Sequence, residues 1–141
     1  MIQVVPYEAE HALALDLQMH QQSTARFITL EYAKSLEGEF SYTVLLDGSP
    51  IAVGGIAKLW ENRGFAWSMV DRRAGPHFMT IHRAAKKALE LAPYRRIEAD
   101  TPCDFPQGHR WLRMLGFHVE AERMRAYMPD GTDHTLYAKV K

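Results

Sequence analysis

The chain has 141 residues, a length that suits one domain with one core, so a single domain over residues 1–141 is expected. Its 47% hydrophobic and 24% charged content are ordinary globular values. With 17 basic and 17 acidic side chains the net charge is zero, which removes the electrostatic case for a nucleic-acid or membrane-surface partner.

Ile2 to Val5 reads as a short strand, and Pro6 suits the entry to a helix. Ala9, Ala12, Leu13, Leu17 and Met19 then give a roughly helical apolar stripe. Gln21-Gln22-Ser23 breaks it, with Ser23 or Thr24 as the N-cap of a second helix through Phe27, Ile28, Leu30, Tyr32, Ala33 and Leu36, stopped near Gly38. From Phe40 the period changes to two. Tyr42–Leu46 and Ile51–Ile56 flank Asp47-Gly48, a strong hairpin signal. Gly54-Gly55 marks a bulge or a close approach by another group. Asn62-Arg63-Gly64 makes the next turn, and Phe65–Val70 follows as a strand with Phe65, Trp67 and Met69 on one face.

Asp71 to Pro76 is a polar loop, and Pro76 suits the first turn of a helix. Phe78, Ile81, Ala85, Ala88, Leu89 and Leu91 form that helix's stripe, ended by Pro93. Arg96–Asp100 is a short strand, and Thr101 to Gly108 a loop with two prolines. Trp111, Leu112 and Leu115 form a helix face that runs into Gly116-Phe117, where glycine supplies the left-handed residue that stops the helix. Two strands around Pro129–Asp133 close the chain. The order β-α-α-β-β-β-α-β-α-β-β implies a mixed, mostly antiparallel sheet with helices on both faces and one β-α-β crossover: an α/β fold, or α+β by some schemes.

This order, ending in helix, Gly116-Phe117 and strand, resembles the GNAT (GCN5-related N-acetyltransferase) fold over nearly the whole chain. The resemblance implies an acyl-CoA N-acyltransferase fold, with acetyl-CoA as co-substrate and an unidentified amine as acceptor. In that family the turn after the fourth strand and the following helix N-terminus hold the cofactor pyrophosphate, because unpaired N–H groups and the positive helix end attract an anion. Carried onto this chain, the cofactor-binding candidates are Met69, Val70, Arg72, Arg73, Gly75, His77 and Phe78. The turn departs from the family pattern: it is shorter, holds only Gly75, and Pro76 removes an amide donor. Counting back from Gly116-Phe117, Phe105 and Leu112 stand where the family often has an Asn and a proton-donating Tyr. No catalytic residue is assigned.

The phrases Gly64-Phe-Ala-Trp67 and Arg110-Trp-Leu-Arg-Met-Leu-Gly-Phe117, with Leu112 in place of the tyrosine, look similar to the small GNAT-like proteins of podophages, a group that includes internal virion proteins. Two functions follow. One is acetyl-CoA-dependent transfer to an amine. The other is a catalytically impaired binding or structural protein on the same fold, with virion assembly partners if the chain is phage-derived.

The remaining candidates have bland counterparts. Glu31 and Glu61 are the carboxylates to inspect as amine bases, against a reading as solvated surface charges. Trp60, Trp67 and Trp111 either line a cleft or pack; Trp67 and Trp111 are expected to pack. The seven histidines show no ligand spacing, and His77 and His82 lie five apart, so no metal is expected. A thiol catalyst built on Cys103 and His109 lacks an orienting group, and Cys103 is expected as a buried, inert thiol in a reducing compartment. No charged-then-apolar leader opens the chain and no apolar run spans a bilayer, so the expected location is cytoplasmic, or the virion if phage-encoded.

Overall fold

The computed structural model describes all residues, Met1–Lys141. Seven strands form one mixed sheet in the order β1-β2-β3-β4-β5-β7-β6. They are β1 (Ile2–Pro6), β2 (Ser41–Leu46), β3 (Ser49–Trp60), β4 (Arg63–Val70), β5 (Arg96–Pro102), β6 (His118–Met124) and β7 (His134–Val140). The helices are α1 (Ala9–Leu13), α2 (Met19–Gln22), α3 (Leu30–Ser35), α4 (Phe78–Leu91) and α5 (Pro106–Met114). Two 3-10 helices, Ala25–Phe27 and Arg72–His77, precede α3 and α4. The expected mixed sheet is present, and β4 and β5 are parallel neighbours, joined in sequence by α4.

The chain divides into two compact units. The first comprises Met1–Ala57 and Trp67–Pro93. Its hairpin forms where Asp47-Gly48 was expected to turn. Both residues have positive φ, 49° and 82°, and the register Leu46↔Ser49 leaves them as a two-residue loop whose twist suits an antiparallel pair. Gly54 is a close approach: a Cβ there would sit 2.6 Å from the Tyr42 hydroxyl and 3.0 Å from the Trp67 carbonyl. The register shift in this pair falls instead at Val44/Leu45. One core cluster gathers Tyr7, Ala9, Ala12, Leu17, Ala33, Val53 and Met69, with Trp67 packed beside it. The stripe of α4 buries Ile81, Ala85, Ala88 and Leu89, while Phe78 and Leu91 at its ends stay exposed.

The N-terminal helices differ from the expectation. The stripe from Ala9 to Met19 breaks at Ala14, and α2 is a separate four-residue helix with no buried residue. The next α-helix begins at Leu30, capped by the Thr29 hydroxyl, rather than at Ser23 or Thr24. Segments this short cannot hold a helix by propensity, so the few apolar anchors, Ala9, Ala12, Leu17 and Ala33, decide where each one sits.

The second unit comprises Lys58–Ala66 and Tyr94–Lys141. β3 runs on to Trp60, and the turn lies at Glu61-Asn62, with Asn62 at φ 64°, earlier than Asn62-Arg63-Gly64. The parallel register of β4 with β5 covers Arg63–Phe65 against Arg96–Glu98. Glu98 is buried beneath this pairing and takes Arg63 Nε at 2.6 Å and Arg96 Nε at 2.8 Å; Arg96 also grips Glu120. α5 starts at Pro106, inside the stretch expected to be loop, since proline is suited to a first helical turn. Its end is the one read from sequence. Gly116 has φ 92°, its N–H donates to Arg113 O, and Phe117 N–H donates to Leu112 O, the paired bonds of a Schellman stop. Leu112, Leu115, Phe117, Ile97 and Tyr137 are buried here.

Candidate functional site

The candidate residues after β4 lie on a turn organised by a side chain that sequence reasoning passed over. Asp71 is 1% exposed and caps the 3-10 helix over Arg72–His77. Its carboxylate accepts from Asp16 N at 2.8 Å, Arg73 N at 2.9 Å and Arg73 Nε at 3.0 Å. Burial pushes the Asp71 carboxyl up, but the hydrogen bonds from the Arg73 side chain and amide and from the Asp16 amide outweigh it. The group is held below the usual carboxylate range. Asp is among the residues favoured at an N-cap, and that preference is the one sequence signal for this role.

Arg73 is thereby committed. Its guanidinium bonds Asp71, the Ser49 hydroxyl at 3.2 Å and Pro50 O at 3.0 Å. Arg72 is the more available cation: it is 59% exposed and pairs with Asp16, itself 73% exposed, at 3.4 Å. The backbone amides of the turn are also spoken for at its start. Arg72 N donates to Asp16 O, Arg73 N to Asp71 Oδ1, and Ala74 N to Asp71 O. Gly75 is exposed, His77 stands at the N-cap position of α4 without a side-chain capping bond, and Phe78, in its first turn, is partly exposed. Met69 is buried in the core cluster. The N–H and carbonyl of Val70 bond Gln21 Oε1 and Gln18 N.

Arg72 and Asp16 stand at a cleft of about 320 Å³ whose apolar lining includes Ala12, Leu15, Leu17 and Ile28. A lining that mixes apolar side chains with Gln22, one cation and one carboxylate can orient a ligand that carries both an acyl chain and charged groups.

The other candidates separate from this site. Glu61 is bound to Lys58 at 2.8 Å and is 88% exposed, and Glu31 is exposed; both fit solvated charges. Trp67 packs edge-on to Tyr7 with ring centroids 5.0 Å apart, as expected of a packing residue, while Trp60 is 66% exposed. His82 stacks on Phe78. His109 meets the Tyr137 hydroxyl at 2.7 Å through Nδ1, and its Nε2 lies 3.1 Å from the carbonyls of Pro102 and Cys103, a tie between α5, β5 and β7. Cys103 is only half-buried, with Sγ between Glu122 O and the Thr135 hydroxyl. Leu112 is buried, as its packing role requires.

Sequence reasoning also missed the pair His134 Nδ1 and Asp100 Oδ1, 2.6 Å apart and nearly buried, with the Tyr127 ring tilted over the imidazole. These three lie 34 residues apart in the chain at most, on β5, β7 and the loop between β6 and β7, and no spacing rule joins them.

No family model matches the sequence, and no curated protein is similar to it by sequence. Solved structures are similar in fold. Ard1 from Thermoplasma volcanium has 13% identity and a TM-score of 0.74, over 99% of this chain and 97% of that one. The ribosomal-protein-S5-alanine acetyltransferase from Vibrio fischeri has 17% identity and a TM-score of 0.69, over 99% and 92%. RimL, the ribosomal L7/L12 alpha-N-protein acetyltransferase, solved in complex with coenzyme A, has 13% identity and a TM-score of 0.66, over 99% and 93%. With the strand order and the parallel β4–β5 pair, these similarities show that the chain has the fold of the GNAT-family acetyltransferases.

Proposed function

We propose that this protein is a single-domain, acetyl-CoA-dependent N-acetyltransferase acting on an unidentified amine. The observation that carries the reading is the end-to-end likeness in fold to acetyltransferases, one of them solved with coenzyme A. The chemistry of the turn supports it. Arg72 opens the 3-10 helix that leads into α4, and its side chain is held by a solvent-exposed ion pair, which an incoming phosphate can displace at little cost. In this reading the pyrophosphate lies against Arg72 to His77 and Val70 contributes main-chain groups, while Met69 packs beneath them in the core. Arg73 acts through Asp71, by keeping the turn in shape.

Acetyl-CoA supplies a thioester: the neutral amine nitrogen bonds the acyl carbon, the C–S bond breaks, and the proton shed by the nitrogen passes to solvent or to the departing thiolate. The protein's part is to bind and align the two partners, and proximity alone supplies much of the rate in such transfers. Ala12, Leu15 and Leu17 give the cleft apolar contacts, and Asp16, which also lines it, offers a carboxylate to a cationic amine. Leu112 offers no proton to the departing sulfur, so transfer to common amines is slow in this reading.

The test is calorimetric titration of the full chain with acetyl-CoA, beside Arg72→Ala and at raised salt. Binding that weakens with both supports the reading. No binding, or binding indifferent to Arg72 and to salt, rejects it. The Gly64–Trp67 and Arg110–Phe117 phrases favour a podophage origin within this reading, which the genome neighbourhood tests directly.

A further inference from the structure

β4 extends five residues beyond the last position paired with β5, Phe65. Successive residues of a strand present their N–H and C=O to opposite edges. Arg96 N donates to Asn62 O, and Asp71 N to Ile51 O, so odd positions at the end of β4 face β3 and even positions face away from it. Ser68 and Val70 are even. Their outward groups would be an open strand edge, and the chain closes that edge with its own residues. Gln21 Nε2 donates to Ser68 O at 2.9 Å, and Val70 N donates to Gln21 Oε1 at 3.0 Å. Gln18 N donates to Val70 O at 2.9 Å, and Leu17 bridges Asp71. One primary carboxamide thus does what a peptide group of a neighbouring strand would do.

The element that carries this carboxamide is weakly held. α2 has four residues and buries none of them, and Met19 is 85% exposed. Segments with few buried contacts open at low free energy. Gln22 lines the cleft beside Arg72, so movement of α2 would change the cleft wall as well.

We propose that Gln21 is a latch: in the free protein it holds the edge of β4 closed as a self-ligand, and acyl-CoA binds by replacing its carboxamide on Ser68 and Val70 with an amide of the pantetheine arm. This rests on the acetyl-CoA reading above. The pantetheine arm carries two secondary amides, each with one N–H and one C=O, the same pair of groups that Gln21 presents. A ligand that must first displace the latch binds with an affinity reduced by the fraction of open protein.

The experiment compares the full chain with Gln21→Ala and Gln21→Met by titration with acetyl-CoA, with hydrogen exchange of the Val70 amide followed in each. Met keeps the bulk and loses both hydrogen bonds, so it separates the amide pairing from space filling. Both variants should bind about tenfold more tightly than the native chain, since two net hydrogen bonds are lost from the closed state only. The Val70 amide should exchange faster in both free variants and be protected again at saturating acetyl-CoA. Equal affinities in all three proteins, or a Val70 amide that stays unprotected in the bound variants, would overturn the latch and leave the acetyl-CoA reading standing. No binding by any of the three would overturn both.

Discussion

Asp71→Ala is the substitution whose effect follows most directly from the geometry. The carboxylate is 1% exposed and accepts two main-chain amides, Asp16 N at 2.8 Å and Arg73 N at 2.9 Å. Each loses its acceptor in the alanine variant, at about 1–1.5 kcal/mol per bond. The second of them is the N-cap bond, for which the independent figure is also about 1 kcal/mol. The Arg73 guanidinium is half exposed and regains water, so its ion pair adds little. The sum is about 2–3 kcal/mol, read as a lower urea midpoint with an unchanged slope. Asp71→Asn keeps one acceptor oxygen and should lose about 1 kcal/mol. The pH dependence has a fixed sign. The carboxyl is depressed in the folded chain, so its contribution is complete above the unfolded value near 3.9 and fades as pH falls through the folded value. The gap between the native chain and Asp71→Asn should therefore close in acid. A loss under about 0.5 kcal/mol for Asp71→Ala, or a gap that widens on acidification, would refute the capping role.

Gly54→Ala should lower the thermal midpoint, at a cost of about 1–3 kcal/mol, because the new methyl meets both the buried Tyr42 ring and the Trp67 carbonyl; an unchanged melt would contradict the tight approach. Glu98→Gln should destabilise by about 1–3 kcal/mol, since it uncharges the buried partner of Arg63 and Arg96, and urea unfolding at neutral pH reads it. Leu112→Ala should cost about 2–4 kcal/mol as a core truncation, measured the same way. In a CoA-release assay with a panel of amines and peptides, the native chain should turn over slowly, and brisk turnover would show that a proton donor at Leu112 is dispensable.

The strongest local signals were the ones with a stereochemical cause. Asp47-Gly48 must have positive φ to close a two-residue hairpin, and Gly116 must adopt the left-handed conformation to end α5, so both could be placed before any packing was known. The first forty residues were the least legible, because α1, α2 and α3 are four to six residues long and their limits are set by contacts with the rest of the unit. In the site, Asp71 carried a capping signature that the neighbouring arginines obscured. Gln21 carried none: a glutamine in a polar break becomes a strand partner only because Ser68 and Val70 lie beside it in space, 47 and 49 residues away in sequence.

The outer strands of the sheet, β1 and β6, bear on how copies of the chain treat one another. A free strand border is a template for strand exchange and aggregation. β6 interrupts that template twice, with register shifts at Val119/Ala121 and Ala121/Met124. It also places Glu120, Glu122 and Arg123 along its length, and charged side chains blunt a strand border. β1 is five residues long and ends in Pro6, which has no N–H to offer. Both borders therefore discourage growth by strand addition in a chain whose zero net charge gives it no general repulsion from its own copies.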